Sequence, residues 1–192
     1  NKTSMTNKTL IVKKFGGTSV GSIERINAVA KQAIQAKNHY DNVVIVVSAM
    51  SGTTNYLINL AKEISDQPAP REYDALVSTG ENVSASLVAM SIQSAGHKAL
   101  SLTGLQAGIY TEKRHSKAKI IDINTDRIKK ELNDDNIVVI TGFQGINQSA
   151  DITTIGRGGS DTSAVAIAAS LDSDLCEIYT DVDGVYTTDP RR

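Results

Sequence analysis

Val43-Val44-Ile45-Val46-Val47, running straight into Ser48-Ala49-Met50-Ser51-Gly52-Thr53-Thr54-Asn55, decides the fold. The five β-branched residues show no polar alternation. A strand that is apolar on both faces has to be buried on both, as a parallel strand is when helices cover each side of its sheet. Its abrupt end in small polar residues marks a loop at the strand's carboxyl end. Upstream, residues 10–15 read as a second strand that stops at Gly16-Gly17. Ser22 is placed to cap a helix, with Glu24 in the first turn, and Ile23, Ile26, Ala30, Ala33 and Ile34 recur at helical spacing.

Downstream, Leu57, Leu60, Ala61 and Ile64 give the next helix its face, and residues 66–70 form a connector. Residues 73–78 read as a short helix that Thr79-Gly80-Glu81 interrupts. A helix over 82–95 follows, with Val83, Leu87 and Met90 as its stripe. Strands are expected over 99–102, 108–112, 119–123, 137–140, 152–155 and 175–180. Thr125 is placed to cap a helix over 126–132, and the Ala-rich stretch 162–171 is a strong helix former. Gly142-Phe143-Gln144-Gly145 reads as the loop closing a strand, and Asp183-Gly184 as a turn. This order predicts an α/β protein, a three-layer αβα sandwich with a mainly parallel central sheet. Ligands of such folds bind at the carboxyl ends of the strands, where the glycine-rich and polar loops fall here.

Composition narrows the function. The 192 residues carry 20 basic and 21 acidic side chains, a net charge of −1, with 4% aromatics and no tryptophan. That balance lacks the basic excess of a nucleic-acid binder and the aromatic platforms of a single-strand binder. No run of ~18 apolar residues suggests a membrane span. Cys176 is the single cysteine, which excludes an internal disulfide framework and points to the cytoplasm. Its apolar surroundings make it a small core residue. A chain of this length can bury roughly 70% of its unfolded surface without a staple. Residues 1–9 are polar and patternless and are expected to be a disordered tail.

Two loops could do chemistry. In Lys14-Phe15-Gly16-Gly17-Thr18-Ser19 the glycines let the backbone approach an anion and the lysine can neutralise it, although a Gly-Gly after a strand is by itself an ordinary turn. Gly156-Arg157-Gly158-Gly159-Ser160-Asp161 enters a strong helix, whose N-terminus favours anions, and Arg157 adds a planar fork. Ser160 or Asp161 is equally well read as the N-cap. The spacings of a P-loop, a dinucleotide fingerprint, a zinc peptidase and a nucleophile elbow are absent. His39, His97 and His115 lie far apart in segments expected to be solvated.

Taken together, several stretches resemble aspartate kinases of the amino-acid kinase superfamily: Lys14-Phe15-Gly16-Gly17-Thr18-Ser19-Val20; Val47 to Asn55; Ser78-Thr79-Gly80-Glu81; Gly142-Phe143-Gln144-Gly145; Thr153-Thr154-Ile155-Gly156-Arg157-Gly158-Gly159-Ser160-Asp161-Thr162; and Tyr179-Thr180-Asp181-Val182-Asp183-Gly184-Val185-Tyr186-Thr187-Thr188-Asp189-Pro190-Arg191. The resemblance runs from about residue 10 to the end, in the family's order. It implies the carbamate-kinase-like fold and transfer of the ATP γ-phosphoryl to the side-chain carboxylate of L-aspartate, the entry to lysine, threonine and methionine synthesis. An ionised carboxylate needs no general base, so positioning and charge neutralisation are the work left to the protein.

By the same resemblance, Lys14 stabilises the moving phosphoryl and Asp161 orients that lysine. Arg157 grips the α-carboxylate, Glu81 pairs with the ammonium, and Ser48, Thr54 and Ser160 add contacts to the amino acid. Lys14, Phe15, Gly16, Gly17, Gly158, Gly159, Thr180, Asp181, Tyr186, Asp189 and Arg191 fall to the nucleotide. Magnesium arrives on the ATP phosphates, with no protein metal ligand assigned. The alternatives are a relative acting on glutamate, N-acetylglutamate, carbamate or a nucleotide, or an inactive aspartate-binding fragment. The family's catalytic domain continues past Arg191 and carries regulatory domains, so residues 10–192 read as a catalytic domain cut short, from a protein that dimerises. The last strand is then expected to lack neighbours.

Overall fold

The computed structural model describes residues 8–156, 158–180 and 185–188. The deciding strand is there: β2 (Asn42–Val47) is buried from Val43 to Val47. It pairs in parallel with β1 (Leu10–Phe15), Leu10 opposite Asn42 and Phe15 opposite Val47. With β3 (Ala99–Leu102), β6 (Ile137–Thr141), β9 (Leu175–Tyr179) and β10 (Val185–Thr188) they form a six-stranded sheet ordered β10-β9-β1-β2-β6-β3. All neighbours are parallel except β10, which runs antiparallel to β9. β9 is thus flanked by β1 and β10, which corrects the expectation of a bare last strand. β10 is a strand beyond those expected from the sequence, which marks only a turn at Asp183-Gly184 just before it.

Helices cover both faces. α1 (Ile23–Ala36) and α4 (Thr79–Ser94) pack on one, where Ile11, Phe15, Val43, Ile45, Val47 and Val139 point. On the other, Val12, Val44, Val46, Val138 and Ile140 meet Ile128 and Leu132 of α5 (Asp126–Asn133) and Ala164, Ile167 and Ala168 of α6 (Gly159–Ser170). Ser22 caps α1, its Oγ accepting from Arg25 N. Thr125 makes no such bond to α5; Asn124 Oδ1 accepts from Asp126 N instead.

One helix turns a different side to the core than expected, and another keeps its expected face but buries little of it. In α4 the inward positions are Gly80, Ser84, Ala85, Val88, Ala89 and Ile92, while Val83 and Met90 are exposed. Val88 and Ile92 fill the core, the small residues beside them let the helix lie close to the sheet, and of the expected stripe only Leu87 packs partly against the core. In α2 (Thr53–Ile64) only Ala61 is buried, and Ile64 is almost fully exposed. A short α3 (Pro70–Val77), with proline at its first position, meets α4 at the single residue Ser78, so the break is narrower than Thr79-Gly80-Glu81.

A second sheet, ordered β5-β4-β7-β8, holds β4 (Ile109–Thr111), β5 (Ile120–Ile123), β7 (Gln144–Ile146) and β8 (Ile152–Thr154). β7 stands where a closing loop is expected. Thr9, at the edge of the expected tail, is tied to Asp41 by its N–H at 2.9 Å. Cys176 is wholly buried in β9, and burial pushes its thiol up to about 11.

Candidate functional site

Lys14 stands one residue before the end of β1, on the α6 face of the sheet. Its Nζ lies 2.8 Å from Asp161 Oδ1, in the first turn of α6. The lysine side chain is 11% exposed and the aspartate 51%. Oδ1 makes no aligned hydrogen bond, so the contact is one of charge. α6 is entered through Gly158 at φ +74°, with no side-chain cap. That corrects the N-cap reading of Ser160 and Asp161, which are the second and third helical residues. The N–H groups of a helix's first turn have no partner within the helix, and its dipole is positive there. The loop after β6 presses on this helix start: a Cβ on Gly142 would stand 3.0 Å from Ser160. Ser163 Oγ accepts from Phe143 N at 3.0 Å and donates to Gly159 O at 2.9 Å.

Glu81 comes from the opposite face of the sheet, in the first turn of α4. Ser84 Oγ donates to Ser48 O at 2.6 Å, binding the helix to the loop after β2. Gly80 makes the approach possible, since a Cβ there would stand 2.8 Å from Ala49 Cβ. Gly80→Ala is therefore expected to destabilise by about 1–3 kcal/mol although alanine is the better helix former. Urea melts of the two chains check this, and a more stable variant would show that the contact relaxes freely. Glu81 is only 3% exposed, and Oε1 has no hydrogen-bond partner. Burial pushes its carboxyl up to about 8, against hydrogen bonds from its own N–H and that of Ala49.

These side chains line one cavity of about 380 Å³ at the carboxyl ends of the strands. Of the expected residues it gathers Lys14, Gly17, Ser48, Thr54, Glu81, Gly158, Gly159, Ser160 and Asp161. Gly17 sits against the β2 loop, where a Cβ would meet Ala49 O at 3.1 Å. Phe15, expected beside the nucleotide, turns its ring into the core and stacks on Tyr179 with centroids 4.6 Å apart. A strand alternates its side chains, and the face opposite Lys14 is core. Gly16 and Thr180 are not among the cavity's lining residues. Arg157, Asp181, Asp189 and Arg191 lie outside the described residues, and of Tyr186 only the backbone pairing with Ile178 is described.

The cavity also takes Met50, Asn55, Phe143 and Gly156, to which the sequence reading gave no role. Phe143 had a signal that only the backbone reveals: a bulky residue at φ +72°. Among the described residues no group of three potential metal-ligating side chains occurs. Two carboxylates, Glu81 and Asp161, are present, one of them already in contact with a lysine. That donor set fits an ion brought on a ligand's phosphates.

A parallel sheet with a lysine and a helix N-terminus at its carboxyl edge is an arrangement suited to phosphoryl groups. The model of the amino acid kinase family matches residues 9–192. The chain belongs to the amino acid kinase family. Within that family it is 58% identical over 182 residues to an aspartokinase of Geobacillus stearothermophilus, covering 95% of this chain and 45% of the relative. Among solved structures it resembles an aspartate kinase from Synechocystis, at 49% identity and a TM-score of 0.79, covering 95% of this chain and 30% of that one. It also resembles Escherichia coli aspartokinase III in complex with aspartate and ADP, at 27% identity and a TM-score of 0.81, covering 95% and 51%. This amino acid kinase chain thus spans about half the length, or less, of these relatives. Among the described residues no helix is long and apolar enough to cross a membrane.

Proposed function

We propose that the chain provides the catalytic core of an aspartate kinase, in which the γ-phosphoryl of ATP passes to the side-chain carboxylate of L-aspartate. The observation that carries this reading is the pairing of two unlike charge sites in one cavity. Glu81 offers a buried carboxylate oxygen without a partner, and Lys14 beside the start of α6 offers positive charge. The first suits an ammonium and the second a phosphoryl group. An acetylated nitrogen carries no positive charge to satisfy Glu81, which disfavours N-acetylglutamate as acceptor.

In this reading Lys14 neutralises charge on the moving phosphoryl, held in place by Asp161. Arg157 takes the α-carboxylate, with hydroxyls from Ser48, Thr54 and Ser160 around the amino acid. The backbone of Phe15, Gly16, Gly17, Gly158 and Gly159, with Thr180, Asp181, Tyr186, Asp189 and Arg191, belongs to the nucleotide. Magnesium rides on the phosphates. The aspartate and ADP in the E. coli relative support the choice of ligands. The reaction opens lysine, threonine and methionine synthesis in the cytoplasm, and the whole protein works as a homodimer.

Purified chain mixed with ATP, magnesium and L-aspartate is expected to release ADP and to form an acyl phosphate that hydroxylamine traps. ADP release that L-aspartate does not stimulate, while L-glutamate or carbamate does, would replace the substrate assigned here.

A further inference from the structure

Asp74, in α3, is a fully buried carboxylate that does not line the cavity. Its Oδ2 accepts from Ser116 N and Thr154 N, each at 3.0 Å, and lies 2.8 Å from His115 Nδ1. Its Oδ1 accepts from Thr154 Oγ1 at 2.7 Å. His115, expected to be solvated, is thus turned inward, its side chain 17% exposed. An enclosed carboxylate is costly unless its oxygens are paired, and these are.

Both ends of this cluster run directly into the cavity. On one side Ser78, its N–H bonded to Asp74 O, is all that separates α3 from α4 and Glu81. Gln144 Nε2 donates to Ser78 O at 2.8 Å and stiffens that joint. On the other side Thr154 ends β8, Ile155 N donates to Phe143 O at 2.8 Å, and Gly156 already lines the cavity. A displacement of Asp74 therefore moves the ammonium end of the site relative to the loop that leads to Asp161.

We infer that Asp74, paired with His115, is a positioning residue that fixes Glu81 against Gly156 and the start of α6 and so sets the span of the amino-acid subsite. The inference rests on the aspartate kinase reading of the cavity. A staple for stability alone is already present at the surface, where Arg71 Nε bonds Asp151 Oδ1 at 2.9 Å and joins α3 to the residue before β8. That exposed pair is the natural control. Buried pairing adds what an exposed pair cannot, a fixed distance.

The test compares His115→Leu, His115→Gln and Arg71→Ala. By calorimetry the leucine variant is expected to bind L-aspartate about 10-fold more weakly or worse, the size of loss that misplacing a binding group produces. Glutamine, which keeps an N–H donor, is expected to stay within about 3-fold of the parent and Arg71→Ala within about 2-fold. Amide exchange supplies a readout free of ligand. In the leucine variant Ile155 and Thr162 are expected to exchange faster, while Val44 and Val46 in β2 keep their protection. Equal aspartate affinity in the parent and leucine chains would overturn the inference. Should the parent itself fail to bind aspartate, the aspartate kinase reading falls, and amide exchange then decides alone: acceleration confined to Ile155 and Thr162 upholds the clamp, and none there removes it.

Discussion

Glu81→Gln is expected to abolish measurable L-aspartate binding and, at the same time, to make the protein more stable above pH 8. The two effects share one cause. In the folded chain the Glu81 carboxyl is raised from 4.5 to about 8 by burial, so folding favours its protonated form. The stability this contributes is complete below pH 4.5 and is lost as the pH rises through 8, where the folded state must hold an ionised, half-satisfied carboxylate. The loss is on the order of 3–5 kcal/mol. Glutamine never ionises, so at pH 9 its thermal midpoint is expected roughly 6–20 °C above the parent's, the two converging near pH 5. A ligand ammonium supplies the missing partner and returns Glu81 to its ionised form. Binding at pH 7 is then expected to release about one proton, visible as a dependence of calorimetric heat on the buffer's ionisation enthalpy. Parallel melting profiles at all pH values, or heats independent of buffer, would place the ammonium elsewhere.

Lys14→Ala is expected to lower ADP release by about 10³-fold while leaving L-aspartate affinity within about 3-fold. The lysine lies on the face of the sheet opposite Glu81 and pairs with Asp161, so it is remote from the ammonium end of the cavity. An acyl phosphate forms with charge building on the transferred group, and a fixed cation at that point acts mainly in the transition state. The variant is expected to fold, since Asp161 is half exposed and the space the lysine leaves opens its buried Oδ1 to water from the cavity. Kinetics and calorimetry on the same preparation separate the two quantities. A loss of binding as large as the loss of rate would make Lys14 a ligand for aspartate instead.

Much of this arrangement is legible along the chain because local physics determines it. β1 and β2 are found where apolar β-branched runs place them, and Ser22 caps α1 because its hydroxyl needs only its own helix. The residues that crowd the cavity follow from the rule that loops at the carboxyl ends of parallel strands converge. What stays hidden depends on partners far away in sequence. The periodicity of Val83, Leu87 and Met90 is real, yet α4 turns Val88 and Ile92 with its small residues to the core, because those small residues allow a close approach to the sheet on that side. β7 is too short and glycine-bearing to announce itself, and it exists because β8 and β4 pair with it. The link from Asp74 to His115 and Thr154 spans the chain, and nothing in the neighbourhood of any of the three predicts it. Phe15 shows the limit of carrying a motif across whole: the backbone belongs to the loop while the ring belongs to the core.

The strand order bears on how the protein comes to be made. β1, near the amino end, lies in the middle of the sheet, and its neighbour β9 arrives only near the end of the described chain, where Asp174 Oδ2 accepts from Leu10 N across a separation of 164 residues. During synthesis one edge of β1 stays unpaired until the more than 150 residues between it and β9 have emerged. A bare, apolar edge held open that long is a template for another nascent chain. Pairing across so long a loop also slows folding, to milliseconds or longer. Yield in a cell is therefore expected to depend more on how fast ribosomes deliver β9, and on the chaperones that shield β1 meanwhile, than on the stability of the finished fold.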